Sequence, residues 1–180
     1  MKIKYYLILL LLPLFSLAQI SIKKSIVANQ LNKNATENYT TESTQLTLKT
    51  AFQITEQARA TATALGKNVT IAILDGSGQI IILTRGEEVG PHNTEAARRK
   101  AYTALSTKTP TLLLSRNARS NPETQNLATL PELLLLGGAH PLWYNGKVVG
   151  SIGIAGGGSP ENDDTIAKSG AIINAQITTH

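Results

Sequence analysis

The sequence predicts an α+β domain: an antiparallel sheet with helices grouped between its hairpins. Two observations carry most of this. VTIAILD at residues 69–75 and QIIILTR at residues 79–85 are β-branched runs on either side of Asp75-Gly76-Ser77-Gly78, and such a pair reads as a hairpin. PLWY at residues 141–144 and KVVGSIGIA at residues 147–155 flank Asn145-Gly146, the strongest short hairpin signal. Helical periodicity fills the segments around them, and no long-period repeat is visible. Antiparallel hairpins with helices grouped between them define the α+β class.

The chain opens with MKIKYYLILLLLPLFSLAQ. Lys2 and Lys4 form a basic start, residues 5–15 an apolar run, and Ser16-Leu17-Ala18 a small-x-small cleavage site. Residues 1–18 are therefore expected to be a signal peptide, with a mature chain beginning at Gln19 that is secreted or periplasmic. The apolar run is short for a membrane span. No cysteine is present to carry a lipid, so no stable membrane anchor is expected after cleavage. Removing residues 1–18 takes away two lysines and no acid, so the formal charge falls from +5 to +3. An exported chain without a Lys/Arg run interleaved with aromatics does not suit a nucleic-acid partner. The lack of cysteine also excludes a disulfide framework and a thiolate metal site. About 160 residues remain, enough for one domain with a sizeable core.

Residues 19–45, rich in Asn, Thr, Ser and Lys, read as a loosely ordered polar arm. The domain is placed at residues 46–178. Leu46, Ile54, Ala58, Ala62 and Leu65 trace a long helix stopped by Gly66. The first hairpin follows. Its strands are apolar on alternate and intervening positions, which predicts a sheet covered on both faces. Asp75 is a turn residue here rather than a catalytic acid. A helix is expected over residues 93–108, capped by Asn93 or Thr94 with Glu95 in its first turn and ended by Pro110. A short helix at residues 111–118, a loop at 119–131 and a buried strand in LLLLGG at 133–138 come next. After the second hairpin, Ser159 as cap, Pro160 at the first helical position and acids at 161, 163 and 164 start a closing helix. The glycines at 137–138 and 156–158 do not form G-x-G-x-x-G and precede an acidic turn, so they suit close backbone approach better than phosphate. The acids lack the regular spacing of a calcium loop. Trp143 beside Tyr144 suits rim or interface packing.

Within GPHNTEAARRKAYTA, residues 90–104, small residues accompany three consecutive cations, Arg98, Arg99 and Lys100. A helix that only packs on a core usually offers larger apolar side chains. Ala96, Arg99, Lys100 and Thr103 recur at three- and four-residue spacing, on one side of the helix.

VTIAILDGSGQIIILTRG, GPHNTEAARRKAYTA and LLGGAHPLWYNGKVVGSIGIAGG, followed by an acid-rich helix start, together resemble the haem-binding GlcG/HbpS-like family, which is related to the C-terminal domain of PduO-type proteins. The resemblance covers roughly residues 46–176. It implies a two-layer, profilin- or PAS-like sandwich with a five-stranded antiparallel sheet, assembled into homo-oligomers. It also implies haem as a ligand, with haem degradation, redox sensing or contact with corrinoids among the activities of related domains. Shared fold does not settle function.

Haem is a flat apolar disc with two propionates. Small Ala96 and Thr103 leave room for the disc, and Arg99 and Lys100 offer donors to the carboxylates. Haem iron takes His, Tyr, Met or Cys. The one Met is Met1, so the candidates are His92, His140, His180, Tyr39, Tyr102 and Tyr144. His92, just before the helix, is the first choice by position. The resemblance places a helix hydroxyl, Thr103, near the iron as well, and such a weak ligand would favour reversible binding. The same residues also admit plainer readings. The cations can be a solvated face or subunit salt bridges, and the small face can receive a neighbouring helix of an oligomer. The leading expectation is a secreted or periplasmic haem-binding protein that scavenges, buffers or senses haem. The alternatives are a haem-degrading enzyme, for which the sequence offers no recognisable acid–base pair, a ligand-free oligomeric module, or corrinoid-related binding. The catalytic residues are unknown.

Overall fold

The computed structural model describes residues 19, 21–28 and 41–179. The expected signal peptide, Tyr39 and His180 lie outside the described residues. The chain divides into residues 1–43 and 44–180. In the first unit, residues 21–28 are helical, within the arm expected to be loosely ordered, and Ser25 donates to the Ile22 carbonyl.

The second unit begins with α1, Leu48–Ala64, capped by Thr47, whose hydroxyl accepts from the Thr50 N–H. The first hairpin is β1, Thr70–Asp75, and β2, Ile80–Arg85. The Asp75 carboxylate accepts from the Ser77 and Gln79 N–H groups, which confirms a turn role. Next come α2, His92–Thr107, and α3, Thr111–Ser120. The second hairpin is β3, Ala139–Tyr144, and β4, Lys147–Ala155. Asn145 and Gly146 turn at φ 48° and 72°, as two-residue hairpins require. The last helix, α5, Pro160–Lys168, begins as predicted, with the Ser159 hydroxyl accepting from the Asn162 N–H. The sheet order is β2-β1-β4-β3-β5, antiparallel throughout, with β5 at Thr178–Thr179.

Alternation along β1 and β4 builds two cores. Ile71, Ile73, Ile152 and Ile154 pack with Ile54 and Ala58 of α1 and Ile166 of α5. Ala72, Leu74 and Ala155 face the opposite way and meet Ala97 and Ala101 of α2. The sheet is therefore covered on both faces where β1 and β4 run. Edge strand β2 is covered less fully: Ile82 joins the first core and Leu83 packs against the second, while Ile80 stays exposed.

Several local expectations are corrected. Neither Asn93 nor Thr94 caps α2. The helix starts one residue earlier after Pro91, without a side-chain cap, and the Asn93 amide donates to the Gly90 carbonyl instead. Pro110 does not end α2, which stops at Thr107 with Lys108 left-handed. Pro110 is the residue ahead of α3. The loop at 119–131 contains the short helix α4, Pro122–Gln125, and a 3-10 turn at Asn126–Thr129, nucleated where the Asn121 side chain accepts from the Glu123 N–H. Residues 133–138 form no strand. Two of their backbone groups are met by side chains of α2, where the Leu134 N–H donates to Thr103 and the Leu133 carbonyl accepts from Arg99. Others bond locally, and the Gly138 carbonyl accepts from the Ile154 N–H of β4, so these groups are met without a continuous strand ladder. The fifth strand is the short C-terminal one beside β3, because α5 ends at Lys168.

Candidate functional site

What approaches α2 closely is its own sheet. Ala97, Ala101 and Ala104 are fully buried, and Gly153 of β4 lies beneath them. A Cβ at Gly153 would run into the Ala97 carbonyl oxygen and come within 2.7 Å of the Ala101 nitrogen. Large side chains on this face of α2 would lift the helix off β4.

One flank of α2 forms a wall of a cleft of about 430 Å³, within the range of about 300–1,000 Å³ usual for small-ligand pockets. His92, Asn93, Ala96 and Lys100 line it from α2, Leu136 from the 131–136 segment, and Ala155, Gly156, Gly158 and Pro160 from the turn between β4 and α5. The wall is largely small and apolar. His92 is exposed, its ring lying against Gly90, where a Cβ would come within 3.0 Å of the imidazole. The His92 ring has no hydrogen-bond or ion-pair partner among the described residues.

Lys100 and Asp163 also line the cleft. The Lys100 side chain is 2% exposed and the Asp163 side chain 8%. The ammonium donates to Asp163 at 2.7 Å and to the Ile154 carbonyl at 3.0 Å. The second Asp163 oxygen accepts from the Gly157 N–H at 2.7 Å, and the Asn162 amide donates to the Gly157 carbonyl at 2.8 Å. Burial pushes the Asp163 carboxyl above the ordinary carboxylate range, against the pull of Lys100 and of the Gly157 N–H. One ion pair thus joins α2, β4 and α5 and fixes the glycine turn that walls the cleft.

Of the residues singled out in the sequence, His92, Ala96 and Lys100 meet at the cleft. Arg99 and Thr103 do not line it. The Arg99 guanidinium donates to the Pro131 and Leu133 carbonyls at 2.7 and 2.8 Å. The Thr103 hydroxyl, fully buried, donates to the Arg99 carbonyl at 2.7 Å and accepts from the Leu134 N–H at 2.8 Å. Together they hold the segment that presents Leu136. Arg98 pairs with Glu95 at 2.7 Å and with Glu132 at 3.6 Å, and its hydrogen bond holds the Glu95 carboxyl below its usual range. His140 is buried on β3 against Asp164, 3.1 Å away. Tyr102 lies against Gly78 and Tyr144 joins the α1 core. Glu161 and Asp163 stand in the first turn of α5, as capping charges do, and Glu161, Asp163 and Asp164 also pair with Arg116, Lys100 and His140. Asp163 had one signal in the sequence: a lysine at position 100 among buried alanines requires a buried counter-charge. Among the described residues no group of three His, Cys, Asp or Glu side chains could hold a metal ion, and no helix is long and apolar enough to cross a membrane.

Fold and cleft define an antiparallel α+β domain with a ligand-sized groove where one helix meets the end of the sheet. The chain belongs to the HbpS-like family: the family model described as haem degrading protein HbpS-like matches residues 46–172. The crystal structure of a double mutant of Streptomyces reticuli HbpS is similar at 34% identity and TM-score 0.68, over 73% of this chain and 88% of that one. A PduOC:heme complex is similar at 29% identity and TM-score 0.67, over 76% of this chain and 99% of that one. The corrinoid adenosyltransferase PduO of Citrobacter freundii is 31% identical over 137 residues, 75% of this chain. The match spans 40% of that relative's length.

Proposed function

We propose that this chain binds haem, or a closely related tetrapyrrole, in the cleft beside α2, and that it does so outside the cytoplasm after loss of residues 1–18. The observation that carries the reading is the unpartnered His92 imidazole at a small-walled apolar cleft, in a chain of the HbpS-like family. Neutral imidazole is a common haem ligand. Ala96, Ala155 and Pro160 offer apolar surface to a macrocycle, and Leu136 covers it from the 131–136 segment. Bound haem would supply an iron centre able to take axial ligands and electrons. Thr103 has no part at the iron in this proposal: it is fully buried, does not line the cleft, and its hydroxyl is engaged by the Arg99 carbonyl and the Leu134 N–H. Arg99 and Lys100, proposed for the carboxylates, would have to use donors beyond those already engaged in the protein. A homo-oligomer in which chains meet near this cleft, and a role in scavenging, buffering or sensing, belong to the same proposal.

Hemin titrated into the purified chain should give a saturable Soret shift at micromolar protein, and His92→Ala should weaken it at least about tenfold, the loss of roughly 1.4 kcal/mol of binding. A wild-type chain without a shift overturns the reading; an unchanged His92→Ala variant removes His92 from the iron. The family description favours a second reading, haem degradation. It predicts that ascorbate bleaches the protein's haem faster than free hemin, and equal rates exclude it.

A further inference from the structure

Lys67 lies between α1 and β1, half-buried, its N–H donating to the Ala62 carbonyl at 2.9 Å. Its side chain runs to the glycine turn of the cleft. A Cβ at Gly158 would come within 3.6 Å of the Lys67 Nζ and 3.9 Å of its Cε. Gly158 lines the cleft and has φ 88°, a conformation that favours glycine, so no side chain stands between the ammonium and the rim. The Lys67 ammonium has no hydrogen-bond or ion-pair partner among the described residues. The other cations near the cleft are engaged: Lys100 with Asp163 and Ile154, Arg99 with Pro131 and Leu133, Arg98 with Glu95 and Glu132.

A half-buried cation with free side-chain donors favours an anion at that point, since Asp163, the one carboxylate lining the cleft among the described residues, is already neutralised by Lys100. Resting on the haem reading above, we infer that Lys67 receives a carboxylate side arm of the tetrapyrrole at the Gly158 rim. His92 and Lys67 then hold one ligand from two sides, the imidazole at its metal and the ammonium at its charged edge. The sequence hides this role, because Lys67 follows a helix-stopping glycine and looks like an ordinary turn residue.

The test compares hemin with its dimethyl ester, which has the same ring and iron but no carboxylates. Both are titrated into wild type, Lys67→Gln, Lys67→Arg and a control, Lys147→Gln, at the exposed start of β4. Lys67→Gln should bind hemin about fivefold more weakly, the scale of one partly solvated ion pair, while Lys67→Arg and Lys147→Gln bind like wild type. The ester should bind wild type and Lys67→Gln equally. An unchanged hemin affinity in Lys67→Gln overturns the inference and leaves the haem reading intact. An equal loss for hemin and ester also overturns it, since the lysine would then act through the fold. A wild-type chain that takes up neither compound overturns both.

Discussion

Lys100 and Asp163 show what a buried charge demands of its surroundings. Neither is stable there alone, and each satisfies the other with help from the Ile154 carbonyl and the Gly157 N–H. Removing one partner of such a pair typically costs about 3–5 kcal/mol. Asp163→Ala should lose that much stability in urea denaturation at neutral pH, because the ammonium it strands cannot readily shed its charge. Lys100→Met strands a carboxyl instead, which can take up a proton. A carboxyl whose folded pKa is raised contributes stability below its unfolded value and loses it as pH rises through the raised value. Lys100→Met should therefore lie closer to wild type at pH 4 than at pH 8. A deficit that is the same at the two pH values would mean the Asp163 carboxyl does not titrate in the variant. Arg99 and Thr103 act at this scale too, as clamps on the 131–136 segment.

Between elements, the decisive contact is α2 on β4. Gly153 has no room for a side chain beneath Ala97 and Ala101, so the helix sits against the strand backbone, and Ala96 and Lys100 on its flank reach the cleft. Gly153→Ala should force α2 outward at a cost of about 3 kcal/mol, the upper part of the overpacking range. Hemin affinity should fall with it, since His92, Ala96 and Lys100 move together. A variant with wild-type melting would show that the helix has slack over β4. The local elements were largely legible in the sequence. Asn145-Gly146, the Asp75 turn and the Ser159-Pro160 start are short-range signals: Asn145-Gly146 accepts positive φ, and at Asp75 and Ser159 one side chain satisfies a nearby backbone group. The run at 133–138 was not, because an apolar tetrad looks alike in a strand and in a packed irregular segment. Two of its backbone partners are side chains about thirty residues away on α2.

For the whole molecule, among the described residues the two cores lie between Leu46 and Ile177. The unit at 44–180 should therefore fold without residues 1–43. A chain starting at residue 44 should unfold at the same urea midpoint as the longer chain and keep its hemin affinity. A lowered midpoint would show that the earlier residues support the domain. The cleft was only half legible at this scale. Ala96 and Lys100 were marked by helical spacing and His92 by its place ahead of the helix, whereas Asp163, Leu136 and the Gly158 rim come from segments far along the chain.

The sequence alone determined the α+β class, both hairpins and the helix that follows Pro91 to within a residue, because those follow from side-chain periodicity and turn chemistry within a few residues. It also placed a cationic, small-residue face on that helix. Only the tertiary structure decided what each of those residues meets. Ala97 and Ala101 take the sheet, Arg99 and Thr103 take a loop backbone, and Lys100 takes an aspartate sixty-three positions away. Partners so distant in sequence are chosen by packing, since a buried charge or an unpaired backbone group accepts whichever complement the fold brings within reach.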